Sequence, residues 1–281
     1  MSGTRQSGIA LVIVLWGVTL LALLAAGFAQ STGLAARRMA HVVDSALARA
    51  QLDEALAAAV VGLTQPDPAR RWRGDGSLHQ QSISAAAAEI SVIAESGRID
   101  LNRSPPTLLQ ALWRQVAGDD AVADQLTKGL AARTDPPRGR PVLAVAELGS
   151  LAGMTAPVYR RLAHAATVHN PSGVLDWRIA GKSSLAAILS PSQIVTLLAM
   201  RRQRDYLPDP ATALALTQAG ALLEASPVQT AIRAEMVTVR LKVTLAGGAA
   251  ASAEILLQLL PEGTQPFRIL EWRAPAWSTE S

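Results

Sequence analysis

Cysteine is absent from all 281 residues. Thiol nucleophiles, zinc–thiolate centres and disulfides are therefore excluded. A domain of this length buries enough core to do without cross-links, even in an oxidising compartment. Aromatic residues make up only 4% of the chain; alanine and leucine dominate, which suits a mainly helical protein. No run of five or six like charges occurs. The net charge of +4 and the high isoelectric point reflect a scattered arginine excess, so the electrostatic case for nucleic acid is weak. The four histidines, His41, His79, His164 and His169, show no metal-ligand spacing with one another or with a carboxylate. Neither a Gly-x-Ser-x-Gly elbow nor a phosphate loop is present. No enzymatic activity is expected.

Charge is also missing from one long stretch. Ile9–Ala29 carries none, and only Trp16 and Thr19 bring polar side-chain groups. About 20 apolar residues in a helix cross a bilayer core of roughly 30 Å. A short leader, ending in Ser7 and Gly8, precedes the run. Gly27-Phe28-Ala29 before Gln30 also suits signal peptidase, so a cleaved secretory signal stays open as a second reading. Arg5 on one side and Arg37 with Arg38 on the other leave the positive-inside count near balance.

Helical periodicity continues beyond the apolar run. Leu52, Leu56, Val60 and Leu63 form one stripe, and no proline intervenes before Pro66. A helix from Ile9 to Leu63 would be roughly 80 Å long and needs something to pack on. Residues 64–78 read as a loop from their Pro, Gly and Asp content. Strand signals are confined to two places. Ala88–Ala94 alternates; so does Met236–Leu245, followed by Ala253–Leu260 and Phe267–Arg273 across Gly247-Gly248 and Pro261-Glu262-Gly263. The last three read as an antiparallel meander with one covered face. About 130 residues of helical pattern separate the two places, so a small α+β layer holds an all-α excursion.

Within that excursion, Arg98-Ile99-Asp100-Leu101-Asn102-Arg103-Ser104-Pro105 leads into a helix, with Ser104 the expected N-cap and Pro105 at the first helical position. Asn102 is expected to bond neighbouring backbone before the turn. A weaker copy, Gly173-Val174-Leu175-Asp176 then Ser183–Leu189, follows about 76 residues later. Between them Ala144–Leu148, a Gly153 turn and a helix capped by Thr155 form a hairpin. Asp119, Asp120 and Asp124 read as an acidic helix N-terminus; oxygen-only calcium ligation is the sharper reading.

Glycine followed by an apolar helix that runs on beyond the membrane resembles the type IV prepilin signal. The phrases Ser96–Asn102, Glu147-Leu148 … Gly153-Met154-Thr155 … Tyr159–Leu162, the Ile194–Arg202 helix and the strand-rich C-terminus are similar to the general secretion pathway protein K family, minor pseudopilins of type II secretion. The likeness runs in order over nearly the whole chain. Pilins usually place glutamate at the fifth mature residue, here Ile13, and this family departs from them in the same way. Two departures from the family remain: Ile9 stands where phenylalanine is usual, and Leu175-Asp176-Trp177-Arg178 replaces a second Ile-Asn-Leu-Asn phrase. No role is carried onto Trp177.

The resemblance implies an α+β pilin-like fold: a long N-terminal membrane-spanning helix packed on a small antiparallel sheet, with a large all-α insertion between strands. It implies a leader over 1–8, a membrane segment over 9–30, a pilin-like domain over 31–100 and 231–281, and a helical insertion with helix-hairpin-helix-like repeats over 101–230. Cleavage by a prepilin peptidase would fall between Gly8 and Ile9, with methylation of the new amine; Ile13 would be the position that matters for assembly of the membrane helices. The partners implied are other minor pseudopilins of the I and J kinds, the prepilin peptidase and the inner membrane, with a single-pass anchor and a periplasmic head. No nucleic acid partner is implied. Calcium is the one cofactor the family allows, with no ligand motif marked for it. The alternative is a membrane-anchored helix-hairpin-helix protein of DNA uptake, in which backbone N–H groups at a helix N-terminus meet phosphate.

Overall fold

The computed structural model describes residues 6–67, 69–134, 139–202, 235–260 and 265–273, without the side chains of 6–10, 25–38, 40, 41 and 202. With no proline to stop it, helix α1 runs unbroken over Gln6–Leu63. Its 58 residues span about 87 Å at 1.5 Å per residue. It begins three residues before the expected start at Ile9, since Ser7 and Gly8 do not break it. Over 11–24 every side chain is exposed. Among the described residues, no helix is long and apolar enough to cross a membrane; the expected span 9–30 lies partly outside their side chains.

The C-terminal half of α1 packs on a five-stranded antiparallel sheet of order β1-β2-β5-β6-β7. The strands are β1 (Asp75–Ile83), β2 (Ala86–Ala94), β5 (Met236–Leu245), β6 (Ala250–Leu259) and β7 (Phe267–Arg273). The stripe Leu52, Leu56, Val60 and Leu63 is buried, joined by Ala55 and Ala59, whose small side chains let the helix approach the strands. It meets the alternating inner face of Val237, Val239, Leu241 and Val243, with Ile90, Val92, Ile255 and Leu257 beside them. Period-2 alternation in strands and a stripe at helical spacing thus produce one shared apolar layer.

The strands β5 and β7 have the expected bounds, and β6 starts three residues early, at Ala250. The loop expected over 64–78 is corrected: its last residues belong to β1, a strand not expected at all. Only Asp75, His79 and Ile83 of β1 are half-buried, so this edge strand has no apolar face to announce it. It is held by backbone pairing to β2. The Trp72 ring stacks on His79 with centroids 3.9 Å apart.

Between β2 and β5 the chain leaves the sheet. The described part of this excursion holds β3 (Ile99–Asp100), α2 (Pro106–Ala117), α3 (Asp120–Thr134), α4 (Ala156–Ala165), β4 (Ala166–Thr167), α5 (Lys182–Leu185) and α6 (Pro191–Arg202). It has its own core, in which Leu112, Trp113, Leu126, Leu148, Leu162 and Leu185 are fully enclosed and Trp177 packs from the side. The all-α expectation is corrected here, because β3 and β4 pair in parallel, Ile99 beside Ala166 and Asp100 beside Thr167. Their backbone groups are buried and need partners that no helix supplies. The part of the expected insertion over 203–230 lies outside the described residues.

Candidate functional site

The Ser96–Asn102 phrase builds a buried polar knot where the excursion leaves the sheet. Asp100 is fully enclosed. Its carboxylate accepts the backbone N–H of Asn102 and of Arg103, both at 2.9 Å, and that of Asn170 at 3.0 Å. Asn170, equally enclosed, donates to the carbonyls of Arg98 and Val174. Two expectations change. Ser104 does not cap α2; its hydroxyl accepts from the Asp100 N–H and donates to the Gly173 carbonyl at 2.8 Å, leaving Pro105 at the cap position. Asn102 does not serve the local turn, a task Asp100 performs; its amide pairs both ways with the Val142 backbone, 40 residues on. The second phrase repeats the device: Asp176 accepts from the Arg178 N–H at 3.0 Å, and in both copies the next helix opens six residues after the aspartate.

Gly173 fastens the two copies together. Its φ is +68°, and a Cβ there would stand 2.6 Å from the Arg103 carbonyl oxygen. Only glycine fits both the left-handed backbone and the close approach.

Glu95, which the sequence reading passed over, joins three parts of the molecule. It is 1% exposed and opens a 3-10 turn, Glu95–Gly97, directly after β2. One oxygen accepts the Thr238 hydroxyl of β5 at 2.6 Å; the other accepts the Thr167 hydroxyl of β4. Arg98, 7% exposed, reaches it at 3.5 Å. The one local signal was the Glu95-x-x-Arg98 spacing after a strand. The two threonines are distant in sequence.

Around this pair a cleft of about 150 Å³ opens between the excursion and the outer face of β5–β7. Four arginines (98, 160, 240, 273) and three glutamates (95, 254, 271) line it, with short apolar walls from Val145, Ala163 and Val168. Arg240 binds Glu254 at 2.9 Å, and Arg273 lies 3.5 Å from the same carboxylate. Burial pushes the Glu254 carboxyl up, but Arg240, Arg273 and Arg98 together hold it below the ordinary carboxylate value. His164 sits exposed at the mouth. Its pKa is pushed down by partial burial of the ring and by Arg240 and Arg98.

The residues expected to govern processing and assembly do not converge here. Gly8, Ile9 and the Gly27–Gln30 stretch lie on α1, with their side chains outside those described. Ile13 is on α1, 65% exposed. The expected hairpin is present as a 3-10 helix over Val145–Ser150, Gly153 with φ +87°, and α4, whose N-cap Thr155 accepts from Val158. Its charged groups are engaged within the fold: Glu147 pairs with Arg133, and Arg161 donates to the Val116 carbonyl at 2.6 Å. Asp119 caps α3 by accepting from Val122. Among the described residues no group of three or more histidines and carboxylates could hold a metal. Arg201 at the end of α6 donates to the Ala180 carbonyl at 2.7 Å, and burial lowers its pKa to about 10.

No family model and no curated protein matches the sequence. Among solved structures, a chain in the crystal structure of the GspK-GspI-GspJ complex from the enterotoxigenic Escherichia coli type 2 secretion system is similar in fold. The TM-score is 0.51 at 15% identity, over 86% of this chain and 98% of that one. The likeness defines a class of fold: this chain shares with a chain of that complex a mixed helix and antiparallel-sheet architecture.

Proposed function

We propose that the chain is a minor pseudopilin of the type II protein secretion system, of the general secretion pathway protein K kind. It sits at the tip of the periplasmic pseudopilus with two other minor pseudopilins, of the I and J kinds. There it acts in pseudopilus assembly and in export of folded proteins across the outer membrane. The observation that carries the reading is the split sheet. A five-stranded layer on the end of a 58-residue helix is interrupted between β2 and β5 by an excursion with its own core, in a fold shared with a chain of the GspK-GspI-GspJ complex.

The N-terminal part of α1 anchors the protein in the inner membrane. The exposed apolar side chains from Leu11 to Leu24, with no protein packed over them, support this. A prepilin peptidase cuts after Gly8, and Ile9 becomes the methylated first residue. The head is periplasmic and does no bond chemistry.

Ile13 supports a place at the tip. A terminal ammonium at bilayer depth needs a carboxylate from a neighbouring subunit. A subunit with Ile13 supplies none, so each copy added to the shaft would leave one amine unpaired. A single first subunit leaves none. The excursion argues the same way, because its bulk obstructs a subunit stacked above. Site-specific crosslinking and labelled imaging of filaments test this. One copy at the distal end is expected; copies repeated along the shaft would defeat the proposal.

A further inference from the structure

Arg98 carries five N–H donors and is 7% exposed, yet its bonds are poor. Nη1 reaches Glu95 at 3.5 Å and Nη2 reaches the Ala163 carbonyl at 3.4 Å, both long for a charged donor. Its Nε–H has no acceptor among the described residues. The neighbouring acids are already committed. Glu95 takes the Thr167 and Thr238 hydroxyls, and Glu254 is engaged by Arg240 and Arg273. A buried donor left without an acceptor is costly and calls for a partner, protein or otherwise.

We propose that the cleft between the excursion and the outer face of β5–β7 is a binding site for a carboxylate on a short aliphatic stem, gripped by the Arg98 guanidinium. Two observations select this chemistry. A planar guanidinium matches a carboxylate through two parallel N–H bonds. The walls of Val145, Ala163 and Val168 offer apolar contact to a few methylenes, and about 150 Å³ accommodates a group of that size. A free aliphatic acid and the acidic side chain of a protein partner present the same chemistry to the site.

The test uses the full chain in uncharged detergent with ¹⁵N-labelled arginine. Acetate, succinate and N-acetyl-glutamic acid amide are titrated against chloride at matched ionic strength. One arginine Nε–Hε resonance is expected to shift saturably with the carboxylates and not with chloride. Arg98→Gln is expected to remove that response. Ala146→Phe, at an exposed lining position away from the ion pairs, is expected to weaken binding at least about tenfold. Tighter binding of the glutamate amide than of succinate marks a protein side chain as the source; the reverse order marks a free acid. A response that fails to saturate, that chloride reproduces, or that Ala146→Phe leaves intact overturns the proposal and leaves water as the occupant of the cleft. Should Arg98→Gln lose cooperative unfolding, Ala146→Phe decides alone.

Discussion

Replacing Glu95 by alanine should weaken the join between the sheet and the excursion and lower the stability of the whole. The carboxylate is 1% exposed and binds Thr238 on β5, Thr167 on β4 and Arg98. Removing one partner of a buried ion pair costs about 3–5 kcal/mol, because the other charge stays buried. Two facts place this case at the lower end: the Arg98 contact is long, at 3.5 Å, and Glu254 lies close enough to feel the Arg98 charge. Each threonine hydroxyl that loses its acceptor adds about 1 kcal/mol or less, since hydroxyls rotate to other acceptors. The expected loss is about 3–5 kcal/mol, read in urea unfolding as a fall in midpoint with an unchanged slope. Combining Glu95→Ala with Arg98→Met removes the charge left behind, and should recover at least about 1 kcal/mol of that loss. A loss below about 1 kcal/mol, or a double variant no better than the single one, would refute the view that the buried Glu95 carboxylate, through Thr238 and Thr167, fastens the excursion to the sheet.

Gly173→Ala should be strongly destabilising: a positive φ costs an alanine about 1 kcal/mol or more, and the Arg103 carbonyl stands 2.6 Å from the new Cβ. A melting temperature within a degree of the parent would contradict that. Acid should weaken the fold through Glu254, whose pKa is held below the ordinary 4.5. The unfolded chain binds the proton first, so this contribution is complete above about pH 4.5 and is lost as pH falls through the folded value. Glu254→Gln should therefore flatten stability against pH in that range, and an unchanged slope would count against the ion-pair account. Gly8→Val should block maturation, while the parent yields Ile9 as its first residue; N-terminal sequencing that found Gln30 would favour signal peptidase instead.

Much of the architecture was readable where a pattern is local. The alternation of Val237, Val239, Leu241 and Val243 marked β5 to its end residues, and the Leu52–Leu63 stripe marked the face of α1 that meets the sheet. Thr155 was readable as a cap because its bond to Val158 spans three residues. Long-range partnerships were not. Ser104 looks like an N-cap until Gly173, 69 residues away, claims its hydroxyl. Asn102 looks like a turn residue until Val142 pairs with its amide. The strand β1 has only one large apolar residue on each face, Leu78 and Ile83, and depends on backbone pairing, so no periodicity betrays it. Glu95 and the cleft are assembled from the 3-10 turn, α4, β4 and three strands, and beyond the Glu95-x-x-Arg98 spacing nothing in any one segment marks them. The phrase Ser96–Asn102 suggested kinship, and the structure supplies its physical purpose: the enclosed side chains of Asp100 and Asn170 satisfy the backbone of the junction.

Complex formation tests the proposed function most directly. Residues 31–281 should be mixed at micromolar concentration with the periplasmic heads of the two other minor pseudopilins encoded by the same secretion system, with calcium present, and run by size exclusion with light scattering. The account predicts one peak with the mass of a 1:1:1 assembly. Three separate peaks, with and without calcium, would contradict it.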